Sequence, residues 1–291
     1  MSAVAARVLL LAGILGGAAC TGTLEAGAGD GDAGGEAHGV DAGGDVGGDE
    51  PDFAALPWSE IGVGVAYKDS GNPRGDRVFI GYAGYGVDDA GARAWVNALY
   101  GASLRELGVR HVFAVRGPDT VTYANREIQN SLLVATLLPA LAGDASIAVA
   151  AHSSGAWVAC ELFEQLFGGG LDPGGATAGR IVYYDLDGLY GCLPEGAEGS
   201  LRALHFVYAE SAAGTSLNAG DMAEGAAAYG QPPLVHDASA SGCAGGASLC
   251  LHVSLVNTVP HDPSTGSPFD YADFEGRPVN TFYLDATAGE L

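Results

Sequence analysis

Short apolar runs alternate with longer stretches of helical spacing through most of the chain beyond residue 60. The runs at 61–67, 77–82, 111–115, 147–151, 181–185, 203–208 and 252–257 are apolar on successive positions, the pattern of parallel strands buried on both faces. Between the second and third runs, Asp88 and Asp89 open a helix whose buried stripe is Ala94, Trp95, Ala98, Leu99 and Ala102; acids at that end suit the helix dipole. A second helix is predicted over 123–138, with Pro139 marking its end, and a third after Gly155. A weaker fourth, over 218–229, is interrupted by Gly220 and Gly225. Thr281-Phe282-Tyr283-Leu284 adds a candidate edge strand. The alternation predicts an α/β fold, a mostly parallel central sheet flanked by helices.

The first 52 residues follow neither pattern. Arg7 precedes an apolar run from Val8 to Leu15, followed by Gly16-Gly17-Ala18-Ala19-Cys20. The run is shorter than the roughly 20 residues that span a bilayer, so 1–20 reads as an export signal. Small residues leading into Cys20 resemble the bacterial lipobox, with Gly17 where leucine is usual. That resemblance implies lipidation of Cys20 and export as a membrane-anchored or surface lipoprotein. Residues 21–52 are rich in Gly, Ala and Asp, hold nine acids and lack Lys and Arg. Such a segment has too little to bury to offset ordering entropy, which predicts a flexible acidic tether. Its Asp-Gly strings lack the regular period and apolar positions of a calcium-binding repeat.

Residues 53–291 have the size of one α/β domain. Their 26 acids against 11 bases exclude nucleic acid as the expected partner, because phosphate binding needs a basic footprint. Membrane contact is expected through the lipid anchor only. Apart from Cys20 there are four cysteines, an even number that suggests two disulfides in an exported protein. Cys243 and Cys250 bracket a Gly-rich loop as the local pair, which leaves Cys160 for Cys192; four cysteines allow three pairings. No C-x-x-C pair or nearby His cluster supports zinc.

Ala151-His152-Ser153-Ser154-Gly155 lies between the apolar run at 147–150 and a helical pattern. A serine among small residues at a sharp strand-to-helix turn is the arrangement called a nucleophile elbow. Alanine replaces the first glycine of G-x-S-x-G, the variant that some bacterial lipases carry. With the order of elements, the segment resembles the α/β-hydrolases over most of 77–261. No insertion between 181 and 203 is large enough for a cap domain, which implies an open, cutinase-like esterase site.

The resemblance implies a triad in the chain order Ser, acid, His. A serine hydroxyl needs an imidazole to take its proton and a carboxylate to orient that imidazole. Ser153 is the candidate nucleophile. His261, in a proline-flanked loop after the last predicted strand, is the candidate base, with His236 as rival. His252, inside that strand, reads as structural, as do His111 and His205, and His38 lies in the tether. Asp187, in Leu186-Asp187-Gly188, matches the Leu-Asp-Pro turn of pancreatic-type lipases with Gly188 replacing proline. Glu210 stands at the more usual place one strand later, and Asp185 and Asp187 also suit strand-end capping and a plain Asp-Gly turn. Asp221 ranks third, and Asp262 is too close to His261 in sequence. The oxyanion donors implied are the backbone N–H groups of Ser154 and of Gly84, with Ala83 and Tyr85 as alternatives. Tyr82, Tyr85 and Tyr123 are candidates to line a pocket, and Arg116 to meet a substrate carboxylate or pair with an acid.

The expected activity is cleavage of small-molecule or lipid carboxylic esters through an acyl-enzyme, without metal or organic cofactor. Peptidase and acyltransferase chemistry share the triad. A non-enzymatic surface binding lipoprotein on the same scaffold is the alternative, and it predicts that the serine, histidine and carboxylate fail to converge.

Overall fold

A computed structural model describes residues 52–120, 123–140, 144–168, 175–188, 193, 199–241, 243, 247–258 and 278–291. The signal segment with Cys20, nearly all of the tether, and Cys192, His261 and Asp262 lie outside the described residues.

Nine strands form one sheet: β1 (Ser59–Gly62), β2 (Val65–Asp69), β3 (Arg77–Tyr82), β4 (Val109–Val115), β5 (Ile147–His152), β6 (Ile181–Leu186), β7 (Ala203–Ser211), β8 (Gly214–Thr215) and β9 (Leu234–Asp237). Their order is β1-β2-β4-β3-β5-β6-β7-β8, with β9 also paired to β7. From β4 through β3, β5, β6 and β7 to β9 every pairing is parallel. The β1–β2, β2–β4 and β7–β8 pairings are antiparallel. The fold is therefore mixed α/β with a mostly parallel central sheet, as the apolar pattern predicts.

The helices are α1 (Asp89–Leu99), α2 (Arg126–Ala140), α3 (Gly155–Phe163), α4 (Ala219–Ala228), α5 (Ser248–Val253) and α6 (Phe282–Ala286). Side chains alternate across each strand, so odd and even positions feed different cores. Phe79, Ala148, Val182 and Tyr184 join Trp95 and Leu99 of α1, Leu251 of α5 and Tyr283 of α6. Val78, Val149, Ile181 and Tyr183 join Leu133 of α2, Val158 and Leu162 of α3 and Met222 of α4. All six residues of β5 and of β6 are buried. These two strands form the centre from which the candidate site projects.

Four elements differ from the sequence expectation. The run at 61–67 is a hairpin, because Val63 and Gly64 both take positive φ (50° and 75°), the geometry of a type I′ turn. The run at 252–257 is not a strand. Helix α5 ends at Val253 and turns follow. Cys250, Leu251 and His252 of the helix and Ser254 to Asn257 after it are all buried, whereas Leu249, Leu251, Val253 and Leu255 mimic a strand's alternation. The proposed edge strand at 281–284 falls in α6. β9 was hidden behind Pro232 and Pro233, which sit just outside it.

Candidate active site

Ser153 follows β5 directly and has φ of 55°. A non-glycine residue there strains by roughly 1–2 kcal/mol, which the surroundings must impose. Two close approaches impose it. A side chain at Gly155 would bring a Cβ within 2.6 Å of the carbonyls of both Tyr82 and Ala83. A Cβ at Gly188 would press on Ala156 and on the Ser153 carbonyl. The turn is thus wedged between the ends of β3 and β6, and Ser153 N–H still donates to Leu186 O at 3.0 Å.

One strand away, the turn after β6 carries Asp187, fully buried and also at positive φ (48°). Asp tolerates that conformation better than most residues. Its carboxylate is enclosed by donors: Ser216 Oγ at 2.8 Å, Asn218 N–H at 3.1 and 3.2 Å to its two oxygens, and His252 Nδ1 at 2.5 Å. Asn218 Nδ2 returns a bond to the Asp187 carbonyl at 2.7 Å, which ties the head of α4 to this turn. A carboxylate only accepts, so Nδ1 of His252 carries the proton and Nε2 keeps its lone pair.

His252 is held from the other side by His152, the residue immediately before Ser153. Their ring centroids are 4.5 Å apart, and His152 Nε2 donates to the His252 carbonyl at 3.2 Å. Burial, reinforced by the neighbouring His252, holds His152 well below the ordinary histidine range. It stays neutral, so a proton arriving on His252 meets no second imidazolium. Ser153 Oγ makes no hydrogen bond among the described residues. Such contacts often tighten only when substrate binds.

Asp187 of the sequence expectation thus meets a histidine, and Glu210 does not; Glu210 is at the exposed end of β7, beside Thr215 and Asp237. Asp185 accepts from Gly188 N–H at 2.9 Å, a cap on the turn. Burial pushes its carboxyl up to about 8. Asp221 lies half-buried in α4. His111 bonds Tyr67, His205 pairs with Glu290 at 2.6 Å, and His236 stacks on Phe282; all three are elsewhere engaged. His261 lies outside the described residues. The residue that sequence reasoning passed over is His252, read as part of a strand. A signal for it existed: it follows by two residues a cysteine predicted to close a short loop, a rigid mount for a base.

In the loop after β3, the Ala83 N–H is taken by Val115 O at 3.0 Å. The N–H groups of Gly84, Tyr85 and Ser154 have no acceptor among the described residues. Two such donors beside a serine can receive a developing oxyanion. The Cys243–Cys250 disulfide is present, and it closes the loop that leads into α5. Cys160 is also disulfide-bonded, while its expected partner Cys192 lies outside the described residues. Among the described residues no group of three His, Cys, Asp or Glu side chains could hold a metal ion, and no helix is long and apolar enough to cross a membrane. Compared with known proteins, the chain matches no family model and no curated sequence.

Proposed function

We propose that the protein is a serine hydrolase of α/β-hydrolase type that cleaves carboxylic esters, with Ser153 as nucleophile, His252 as base and Asp187 as its orienting acid. The observation that carries the reading is the buried 2.5 Å Asp187–His252 bond, with the His252 ring packed at a tilt against His152, which precedes a serine in strained elbow geometry. His252 takes this role in place of His261, since Asp187 already spends its histidine contact on it.

In the reaction, Ser153 Oγ attacks the ester carbonyl while His252 Nε2 removes the hydroxyl proton. The carbonyl oxygen becomes an oxyanion between the Ser154 N–H and that of Gly84 or Tyr85. Its collapse breaks the bond to the alcohol, which takes the proton from His252. Water then attacks the acyl carbonyl as it loses a proton to the same imidazole, and collapse breaks the bond to Ser153 Oγ, which takes that proton back as the acid leaves. Asp187 holds one tautomer and stabilises the transient imidazolium. The non-enzymatic alternative predicts that Ser153, His261 and a carboxylate fail to converge; His261 lies outside the described residues, and the buried Asp187–His252 pair favours the hydrolase reading. The lipobox-like run ending at Cys20 supports export with a lipid anchor, and the uncapped spacing supports an open site.

Fluorophosphonate labelling of the full chain tests the reading. The wild type should label and Ser153→Ala should not. His252→Gln should abolish labelling while His261→Gln retains it. Unlabelled wild type, beside a control serine hydrolase that labels, would sink the proposal.

A further inference from the structure

Helix α5, which carries His252, is six residues long, under two turns and too short to hold its shape unaided. Its N-cap residue Ala247 makes no side-chain cap bond, and Ala247, Ser248 and Leu249 are exposed. Beyond the helix the anchoring is firm. Asn280 Nδ2 donates to Ser254 O at 2.7 Å, and Leu255 and Val256 enter the core beside Leu251. The only side-chain bond of the first turn, among the described residues, is the disulfide from Cys250 to Cys243.

That bond leads back to the sheet. Just past β9, Ala238 N–H donates to Glu210 O of β7 at 2.8 Å, and Ser241 N–H and Oγ both donate to Ala238 O, at 3.0 and 2.6 Å. Cys243 follows and packs against the core. Through Cys243 and Cys250 the first turn of α5 is fixed to the edge formed by β7 and β9, immediately ahead of His252. His252 must keep Nδ1 on Asp187 at 2.5 Å for Nε2 to take the Ser153 proton. A misplacement of about 1 Å in such a constellation costs about 100-fold in rate. Cys243 is half-buried, whereas Cys250 is 2% exposed, so an external thiol meets the Cys243 side first.

Resting on the hydrolase reading above, we propose that the Cys243–Cys250 disulfide is a redox switch on the catalytic base. Oxidised, it holds His252 in register. Reduced, the domain stays folded on its two cores and on the anchors beyond α5, while His252 loses its fixed position. In the reducing direction a thiolate such as that of glutathione attacks Cys243 Sγ, the S–S bond breaks, and Cys250 leaves as a thiolate that takes up a proton. A second glutathione thiolate attacks the glutathione sulfur of the mixed disulfide, which releases Cys243 as a thiol and leaves oxidised glutathione. Two electrons and two protons pass to the protein. A disulfide donor in an oxidising compartment runs the exchange backwards. The enzyme is thus slow where thiols are kept reduced and armed where they are not, and the export signal read at 1–20 fits that passage. Cys160 is also disulfide-bonded, but it sits on α3, which carries neither Asp187 nor His252.

Turnover of p-nitrophenyl butyrate by the full chain tests the switch. Reducing the wild type with dithiothreitol under native conditions should lower kcat by about 10- to 100-fold with KM little changed, and oxidised glutathione should restore it. Cys243→Ala/Cys250→Ala, which leaves the Cys160 bond intact, should be as slow as the reduced wild type and indifferent to reductant. Near-UV circular dichroism should show native packing in every slow form. Full activity of the double variant, or of wild type in which alkylation and mass spectrometry find Cys243 and Cys250 reduced, would overturn the switch. A bond that resists dithiothreitol in the native protein, or a double variant that still slows on reduction, would overturn it too. So would loss of the near-UV signal along with activity, since the bond would then staple the whole domain. Oxidised wild type that neither labels with fluorophosphonate nor cleaves the ester would overturn the hydrolase reading, and the switch with it.

Discussion

Ser153 stands between two flanks of opposite character. Toward β6 and β7, Asp187 receives bonds from Ser216, Asn218 and His252, and His252 is braced by His152. Toward β4, Tyr123 and Gln129 are just as deeply buried yet have little beyond each other to bond to. Both arrangements place polar groups in low dielectric, but the first satisfies its hydrogen bonds fully and the second leaves much of its capacity unspent. A closed network holds a geometry. A partly satisfied one stabilises poorly. Two aspartates on one turn repeat the contrast: Asp187 is surrounded by donors, whereas Asp185 has the Gly188 N–H alone and is pushed toward its neutral form.

Breaking the closed flank should have the largest effect. Asp187→Asn keeps the backbone conformation but spoils the tautomer of His252, and ester turnover should fall by about 10⁴-fold, as expected when a triad acid is neutralised. A loss under tenfold in kcat would mean that Asp187 is only a turn-former. His152→Phe keeps a ring against His252 and removes the donor to its carbonyl. We expect a loss of about tenfold in kcat and a shifted pH–rate profile, with His152→Gln recovering much of both. Equal activity of the Phe and Gln variants would deny the hydrogen bond a part in positioning.

Removing the open flank should act in the reverse sense on stability. Gln129→Leu deletes a buried amide whose side chain meets only the Tyr123 hydroxyl and should raise unfolding free energy by about 1 kcal/mol in urea titration. Destabilisation would show that the amide is satisfied in solution. The last effect concerns pH. Asp185 ionises more readily in the unfolded chain than in its buried place, where its carboxyl sits at about 8 instead of 3.8. Its contribution is full below pH 4 and declines as pH rises toward 8. Asp185→Asn, which can still accept from Gly188 N–H, should therefore gain on the wild type at pH 8 relative to pH 5 in urea midpoint. The same difference at both pH values would refute this.

The central strands were legible because parallel strands covered on both faces leave continuous apolar runs, as β5 and β6 do. The elbow was legible because close backbone approach demands small residues, and Gly155 meets that demand. Asp187 was readable only as one of several acids at strand ends, since nothing local separates it from Asp185 or Glu210. His252 was misread: alternate leucines and valines imitate a strand, and only packing against the sheet shows that Leu251 enters the core from a helix, with Leu255 and Val256 following in the turn after it.

By itself, then, the sequence determined the class of fold and the strained serine at the sheet's carboxyl edge, because both follow from contacts among near neighbours in the chain. The tertiary structure alone decided which histidine meets Asp187, across 65 positions, and where polar atoms are left unpaired. Those depend on which distant segments share a buried space, and no local spacing encodes that.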